Sequence, residues 1–315
     1  MSAVVVATAF GGPEVLSVIN EPVGEPGPGE VRIAVRAAGV NPIDHKAYSG
    51  AFGRDPASLP MRLGAEAAGV VTAVGPGSVG AAGPVSVGDE VIAYRASGAY
   101  ASDLIVPAAS VVPKPATLPW EQAGGLLLTG ATAVHALEAV GAGADDTVLI
   151  HGASGGVGLF AVQLAASRDA AVIATAAPAK HDLLREFGAT PVAYGDGLAD
   201  RVRALAPDGV TAALDLVGTD EAIDASLELV ADRRRIATIA AFGRAPGLGI
   251  QLLGGGPGAD PGTEIRAAAR TQLTGAFAAG RLRVIVANTY PLDEVAEAHR
   301  EIMAGHTTGK IVLIP

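Results

Sequence analysis

The sequence predicts an α/β protein with two domains, one of antiparallel strands and one built on a doubly wound parallel sheet. Three observations support this. The chain has 315 residues, of which 50% are apolar. Short β-branched runs between glycine and proline turns fill its first part, and strands alternate with helical stretches in its second. At roughly 100–200 residues per domain, the length is enough for two hydrophobic cores.

Composition excludes several functional classes. The net charge of −10 has the wrong sign for a chain whose main partner is nucleic acid or an anionic membrane. The chain contains no cysteine, which excludes disulfides, thiolate-bound metals and a cysteine nucleophile. The first residues lack the basic start and apolar core of a secretory signal. We therefore expect a cytoplasmic protein that acts on a small molecule.

The first domain is predicted from short strands bounded by turns. In Val31–Ala37, apolar and polar side chains alternate, so one face is expected to be buried and the other to face water. Similar strands are predicted at Val4–Ala9, Ala68–Val74, Glu90–Tyr94, Arg283–Val286 and Lys310–Ile314. Because the last two lie near the end of the chain, this domain is predicted to be discontinuous, with segments 1–122 and 256–315.

The second domain, residues 123–255, is predicted from strand–helix alternation with short connections, which is typical of parallel βαβ units. The strands are Thr147–His151, Ala171–Thr175, Val192–Tyr194, Thr211–Val217, Arg235–Ile239 and Ile250–Leu253, and the first helices are Val157–Ser167 and Ala179–Phe187. The glycine-rich stretch 254–258 is interpreted as a hinge or linker. A helix over Thr263–Ala279 follows it.

A glycine-rich segment joins the first strand and helix of the alternating region. In a dinucleotide-binding fingerprint, glycines permit a tight turn, close approach of the pyrophosphate and close packing of helix on strand. Gly155 and Gly158 take the second and third glycine positions, whereas Ala153 stands at the first. The segment predicts dinucleotide binding by Ala153, Ser154, Gly155, Gly156, Val157 and Gly158.

The end of the second strand discriminates between the two nicotinamide dinucleotides. An NAD site usually carries Asp or Glu there to bind the ribose 2′-hydroxyl. Here the strand ends at Thr175 and continues Ala-Ala-Pro-Ala-Lys180, with no carboxylate. The Lys180 ammonium is suited to a 2′-phosphate, and a solvated charge at a helix start is the alternative. The pattern favours NADPH.

Motifs along nearly the whole chain resemble one family. They are Ala9–Leu16, Pro26–Val31, Ala38–Asp44, Gly64–Val71, Val87–Val91, the loop 153–158 and Thr308–Val312. In order and spacing they resemble the zinc-free quinone oxidoreductases of the medium-chain dehydrogenase/reductase superfamily. The resemblance implies a GroES-like β-barrel catalytic domain and a Rossmann domain. It also implies NADPH-dependent hydride transfer to a quinone or an α,β-unsaturated carbonyl.

The same resemblance argues against zinc. Zinc-dependent relatives carry metal ligands at three positions where this chain has Asn41, Ala65 and Leu128. Of the motif residues around those ligands, this chain retains only the glutamate, Glu66. The six histidines show no pair at a useful ligand spacing. We therefore expect no metal site.

The resemblance assigns the remaining site residues. Asn41 is expected near the nicotinamide, where its amide N–H donates to a substrate oxygen, and Tyr48 is a second candidate donor. Lys46, Phe52 and Tyr100 are expected around the substrate pocket, with a surface-loop position as the alternative for Lys46 and Tyr48. Further cofactor contacts are expected from Thr132, Thr175, Tyr194, Leu216, Val217 and Phe242. For Tyr194, a core position at the sheet edge is the alternative.

Three functions remain in competition at this point. The first is a zinc-independent NADPH reductase of quinones or enones, and the second is an enoyl-thioester reductase or tailoring enzyme of a biosynthetic pathway. The third is a non-enzymatic NADPH-binding partner protein. A homodimer is also expected, because the apolar strand near Ile250–Leu253 would leave an exposed sheet edge. The alternative is a monomer whose edge is covered by the neighbouring glycine-rich loop.

Overall fold

The computed structural model describes residues 1–315, which divide into two compact units. The first unit comprises Met1–Leu128, Arg270–Gly280 and Val284–Pro315, and the second comprises Thr129–Ala269 and Arg281–Arg283. Both main boundaries lie later in the chain than the sequence pattern placed them. No helix combines the length and the apolar character needed to cross a membrane.

The main sheet of the first unit has seven strands. Six follow one another in the order Val111–Pro113, Glu90–Tyr94, Glu66–Val74, Glu30–Val40, Lys310–Ile314 and Val286–Pro291, and Asp103–Pro107 also pairs with Glu30–Val40. Lys310–Ile314 runs antiparallel to Glu30–Val40, with Ile311 opposite Val40. The last strand of the chain therefore completes a sheet that the first segment begins.

Smaller elements surround this sheet. A three-stranded sheet has the order Leu16–Glu21, Ser2–Ala7 and Met61–Arg62, and Val79–Gly80 pairs with Gly83–Pro84. The helices of this unit include Pro42–Tyr48, Trp120–Gly124 and Val295–Ala304. The core joins Ile33, Tyr48 and Tyr100 to Ile311 and Leu313. Both chain segments thus contribute to one core.

The second unit is a parallel six-stranded sheet. Its order is Thr190–Val192, Ala171–Thr175, Thr147–His151, Ala212–Asp215, Ile236–Thr238 and Gln251–Leu252. The helices around it are Gly156–Ala166, His181–Glu186, Leu198–Leu205 and Asp220–Leu229. The order starts at the third strand in sequence, passes the first and then continues outward, which is the doubly wound order of a dinucleotide-binding domain. The helix Leu127–Ala139 precedes the first strand.

Several predicted elements need correction. The strand predicted at Arg283–Val286 is wrong, because the strand there is Val286–Pro291. The helix predicted at Ala179–Phe187 is a 3-10 turn, Pro178–Lys180, followed by a short α-helix. The stretch 254–258 lies within the second unit. It folds back so that the Gly254 N–H donates to the Asp260 carbonyl at 2.8 Å, and it is therefore a packed turn, not a linker between units.

Candidate functional site

The glycine-rich loop of the second unit has the geometry of a tight strand-to-helix turn. Gly152 has a φ of +69°, where a side chain would be strained. A Cβ on Gly158 would lie 2.3 Å from the Gly152 carbonyl oxygen and 2.6 Å from backbone atoms of Ala153. Gly152 therefore makes the turn expected one residue later, which explains why Ala153 is tolerated there. Gly158 permits the close packing of helix on strand.

The helix that follows this loop is free of side-chain caps at its N-terminus. Gly155 is the N-cap residue and no side chain accepts a hydrogen bond there. The first turn also carries no acidic residue. A Cβ on Gly155 would meet only the Gly152 carbonyl oxygen, at 3.4 Å. The helix thus presents backbone N–H groups and the positive end of its dipole without a competing anion from the chain.

The end of the second strand carries no negative charge. Thr175 is buried, and its hydroxyl lies 3.5 Å from Nδ1 of His151. Lys180 is half-buried at the end of the turn Pro178–Lys180 and forms none of the ion pairs of the chain. Its ammonium is therefore available to an external anion.

Asp215 and Thr238, which the sequence did not single out, form a hydrogen-bonded pair at the ends of the strands Ala212–Asp215 and Ile236–Thr238. Asp215 is fully buried, and one carboxylate oxygen accepts from the N–H groups of Val217 and Gly218 at 3.1 and 2.8 Å. The other accepts from the Thr238 hydroxyl at 2.6 Å. The same hydroxyl accepts from the N–H of Ala241, one residue before Phe242. One acidic side chain thus shapes both predicted cofactor-contact segments.

The side chains carried by these strand ends differ in exposure. Tyr194 is 57% exposed and Val217 is 50% exposed, whereas Leu216 and Phe242 are half-buried. The strand that precedes Tyr194 ends at Val192, so the alternative of a core position for Tyr194 is wrong. A large exposed aromatic residue at this edge is suited to stacking on a ring of a ligand.

Thr132 lies on the helix Leu127–Ala139 and is buried. Nη1 of Arg266 donates to its hydroxyl at 3.2 Å, and Nε of Arg266 donates to Nδ1 of His135 at 3.2 Å. Nε2 of His135 lies 3.1 Å from the Asp260 carboxylate. Because Nδ1 accepts a hydrogen bond, the imidazole is neutral with its proton on Nε2. Burial lowers the pKa of His135, which also favours the neutral form.

A buried polar network surrounds Glu66 in the first unit, close to positions at which the resemblance places the ligands of zinc-dependent relatives. Oε1 of Glu66 accepts from the Asn41 amide at 3.1 Å and from the Lys310 ammonium at 3.2 Å. Oε2 accepts from the Leu128 N–H at 2.8 Å. The Lys310 ammonium also donates to the Asn41 side-chain oxygen and to the Val40 carbonyl. The network satisfies a carboxylate and an ammonium that are both buried.

This network contradicts the predicted role of Asn41 as a free donor to substrate. Its second amide hydrogen is donated to the Gly39 carbonyl at 3.0 Å, and its backbone N–H is donated to Asp44 at 3.0 Å. The residue is fully buried. Every polar group of the side chain is therefore already paired inside the chain. Asn41 acts here as part of the buried network that closes the start of helix Pro42–Tyr48.

The predicted pocket roles of Tyr48 and Tyr100 need the same correction. Both rings are fully buried in the core of the first unit. The Tyr48 hydroxyl lies 2.8 Å from Nδ1 of His299, and the Tyr100 hydroxyl donates to Asp44 at 2.8 Å. Burial raises the pKa of Asp44 to about 6 and lowers that of His299 to about 4. These tyrosines pack the core, and each hydroxyl pairs with one buried polar side chain.

The other two pocket candidates are accessible. Lys46 is half-buried on the helix Pro42–Tyr48, and Phe52 is 61% exposed in the loop after it. Their exposure is compatible with contact to a substrate, and the pocket roles of both residues stay predictions. No group of three or more His, Cys, Asp or Glu side chains is arranged to hold a metal ion.

The sequence matches two family models and several known proteins. The model described as the alcohol dehydrogenase GroES-like domain matches residues 27–116, and the one described as a zinc-binding dehydrogenase matches residues 187–313. The quinone oxidoreductase of Pseudomonas aeruginosa is 36% identical over 98% of each chain. A trans-enoyl reductase of Aspergillus flavipes is 33% identical over 71% of this chain and 69% of its own. The structure of Escherichia coli quinone oxidoreductase complexed with NADPH is 29% identical, with a TM-score of 0.86 over 99% of this chain and 100% of that one.

A GroES-like unit together with a doubly wound dinucleotide-type unit defines a dehydrogenase or reductase of the medium-chain superfamily. The chain belongs to the quinone oxidoreductase family of that superfamily and is an oxidoreductase. The predicted family and fold class are confirmed. The zinc-binding description belongs to the family model, and the absence of zinc stays a prediction from the resemblance, which places Asn41, Ala65 and Leu128 at the ligand positions.

Proposed function

We propose that the protein is an NADPH-dependent, zinc-independent reductase that transfers hydride to a quinone or an α,β-unsaturated carbonyl compound. The observation that carries this proposal is the loop 152–158, which presents an uncapped helix N-terminus beside a strand end without a carboxylate. Membership of the quinone oxidoreductase family supports the same reaction class.

NADPH fits the residues at the second strand end. The pyrophosphate would be held by backbone N–H groups at the start of helix Gly156–Ala166, because Gly155 leaves its outer side open. The 2′-phosphate would be held by Lys180, whose ammonium is not used by an acid of the chain. The bound structure of the Escherichia coli relative contains NADPH, which supports this choice.

The chemistry divides between cofactor and protein. NADPH supplies the hydride, so the protein contributes binding, orientation and electrostatics. The Lys310 ammonium stays paired with Glu66 and Asn41, which fixes the strand end at Val40 and the helix start at Pro42 without a metal ion. Because no side chain of this network has a free donor, we assign the final proton to water.

The test is a panel of quinones and enones. For each compound, the rate of NADPH oxidation is measured from the loss of the absorbance of the reduced nicotinamide. We expect turnover with simple quinones and enones, and unchanged rates after dialysis against a strong chelator. The absence of any NADPH oxidation with all quinones and enones would contradict the proposal. A bound stoichiometric metal whose removal abolishes activity would contradict zinc independence.

The second candidate is an enoyl-thioester reductase. The relative named as a trans-enoyl reductase in Aspergillus flavipes supports it, and enoyl thioesters are activated by conjugation as enones are. The net charge of −10 gives no general attraction to an anionic carrier. Enoyl thioesters in the same panel decide between the two: a kcat/KM above that of every quinone would favour this candidate.

Assembly as a homodimer through the last strand of the second unit is also proposed. The strand Gln251–Leu252 is the edge of the six-stranded sheet, and Ile250 and Leu252 are partly exposed. A parallel bridge between Leu253 and Asp260 covers the outer side at one point. This contact supports the monomeric alternative, so the pairing surface left for a second copy is the part of the strand before Leu253.

A further inference from the structure

The loop that carries Tyr194 combines an exposed ring with a backbone that contains left-handed glycines. It follows the strand Thr190–Val192 and includes Gly195 and Gly197, with φ values of +100° and +75°. Tyr194 is 57% exposed, so packing of its ring does little to hold the loop. Glycine-rich loops with few buried contacts are expected to be mobile. Another interaction must therefore fix this one.

Arg201 supplies that interaction. From the helix Leu198–Leu205, its guanidinium donates to the carbonyl oxygens of Ala193, Gly195 and Asp196. The distances are 3.0 Å from Nη2 to Ala193, 2.8 Å from Nη2 to Gly195 and 2.6 Å from Nη1 to Asp196. The acceptors lie on both sides of Tyr194 in the chain. A single planar, charged group thus fixes the backbone around the aromatic residue.

Glu221 holds the same loop from the next helix. Its carboxylate accepts from the Gly195 N–H at 2.8 Å. Glu221 lies in the first turn of helix Asp220–Leu229, directly after the segment that carries Val217. The loop of Tyr194 is therefore tied to the start of the helix that follows Val217, which is itself 50% exposed.

We propose that Arg201 is a positioning residue for cofactor binding, which holds Tyr194 in advance in the conformation that stacks on the adenine of NADPH. This inference rests on the proposed NADPH function. A loop that is already fixed before binding improves affinity, because association then involves no further loss of conformational entropy in the loop. The guanidinium of Arg201 is occupied by three carbonyl groups, so it is not a second ligand for the 2′-phosphate beside Lys180.

The first experiment measures dissociation constants of the Arg201→Met variant, which keeps the length of the side chain but removes its donors. If the loop then spends about one tenth of its time in the binding conformation, the affinity falls about tenfold. We expect this loss for NADPH and equally for 2′,5′-ADP, which contains the adenosine end alone. The KM for reduced nicotinamide mononucleotide, which lacks that end, should stay unchanged, as should kcat at saturating NADPH.

A double-mutant cycle with Tyr194→Ala separates positioning from general stabilisation. Tyr194→Ala alone should weaken 2′,5′-ADP at least fivefold, because stacking of a base on an aromatic ring is lost. In that background Arg201→Met should add less than a twofold loss, since there is no ring left to position. Equal effects of Arg201→Met with and without Tyr194 would overturn the inference.

Arg203→Met is the matched control. Arg203 lies two residues away on the same helix and pairs with the side chains of Asp200 and Glu228, not with the loop. We expect its affinity for 2′,5′-ADP to equal that of the wild type, and an equal loss in both variants would overturn the inference. If Arg201→Met does not fold in a melting experiment, Glu221→Ala takes its place with the same expected pattern. Failure of the wild type to bind NADPH would instead refute the proposed function itself.

Discussion

Replacing Gly155 by alanine tests the loop because it separates folding from binding. Gly155 has φ −76° and ψ 177°, which any residue adopts. The added Cβ would meet only the Gly152 carbonyl oxygen, at 3.4 Å, which is ordinary contact. The folded apoprotein has room for the methyl group. The same methyl group would occupy the space through which a pyrophosphate approaches the helix N-terminus, so it should hinder binding.

Two opposing effects set the stability of Gly155→Ala. Restricting the unfolded chain stabilises the protein by about 0.4–1 kcal/mol, whereas alanine is a poorer N-cap residue than glycine by a similar amount. We therefore expect a Tm within about 3 °C of the wild type. Binding should change much more. Loss of one charge-assisted hydrogen bond of about 1.5–3 kcal/mol weakens NADPH about 10- to 100-fold.

Gly158→Ala provides the contrast. Its Cβ would lie 2.3 Å from the Gly152 oxygen, so helix and turn must separate by about 1 Å to restore contact distance. Overpacking of this kind costs about 1–3 kcal/mol and should lower Tm by several degrees. Melting curves and NADPH titrations on the three proteins decide the matter. Wild-type affinity in a stable Gly155→Ala protein would refute the assignment of the pyrophosphate to this loop.

Three further predictions concern charge and assembly. NADPH should bind about 10- to 100-fold more tightly than NADH, and Lys180→Ala should remove this preference while Arg185→Ala, whose partner is Asp182, keeps it; equal affinities in the wild type would contradict it. Burial raises the pKa of Asp44 from 3.8 to about 6, so the folded state binds that proton more tightly than the unfolded state. The unfolding free energy relative to Asp44→Asn should therefore fall by about 2 kcal/mol as pH rises from 4 to 6 and should level off near pH 7. A constant difference in urea unfolding between pH 4 and 6 would exclude the effect. Sedimentation at micromolar concentration should give twice the 31.2 kDa chain mass, and the mass of a single chain would reject the dimer.

The fold was predictable because its signals are local. The strand Thr147–His151 and the helix after it follow from an apolar run, a glycine turn and an uncharged helical stretch, all adjacent in sequence. The linker at 254–258 was predicted wrongly from the same kind of signal. Glycine content reports conformational freedom but not what the turn packs against, which here is the ring of Phe242.

The site was less predictable because its decisive contacts are remote in sequence. The direction in which helix Pro42–Tyr48 buries Tyr48 depends on His299, 251 residues later. The pairing of Asn41 depends on Lys310, 269 residues later. Asp215 did give a signal, since an acid within the apolar run Ala212–Val217 must be paired when it is buried. The apolar run therefore predicts that Asp215 is hydrogen-bonded, but it does not predict that Thr238 is the partner.

The buried pair of Glu66 and Lys310 also sets an order for folding during synthesis. Glu66 leaves the ribosome 244 residues before the lysine that neutralises it, and one member of a buried ion pair without the other costs about 3–5 kcal/mol. The second unit, almost entirely the continuous segment Thr129–Ala269, has no such dependence on the last strand. We therefore expect nascent chains stopped before Lys310 to hold a folded second unit beside a protease-sensitive first one. Protease resistance of both units in such chains would show that the pair is dispensable.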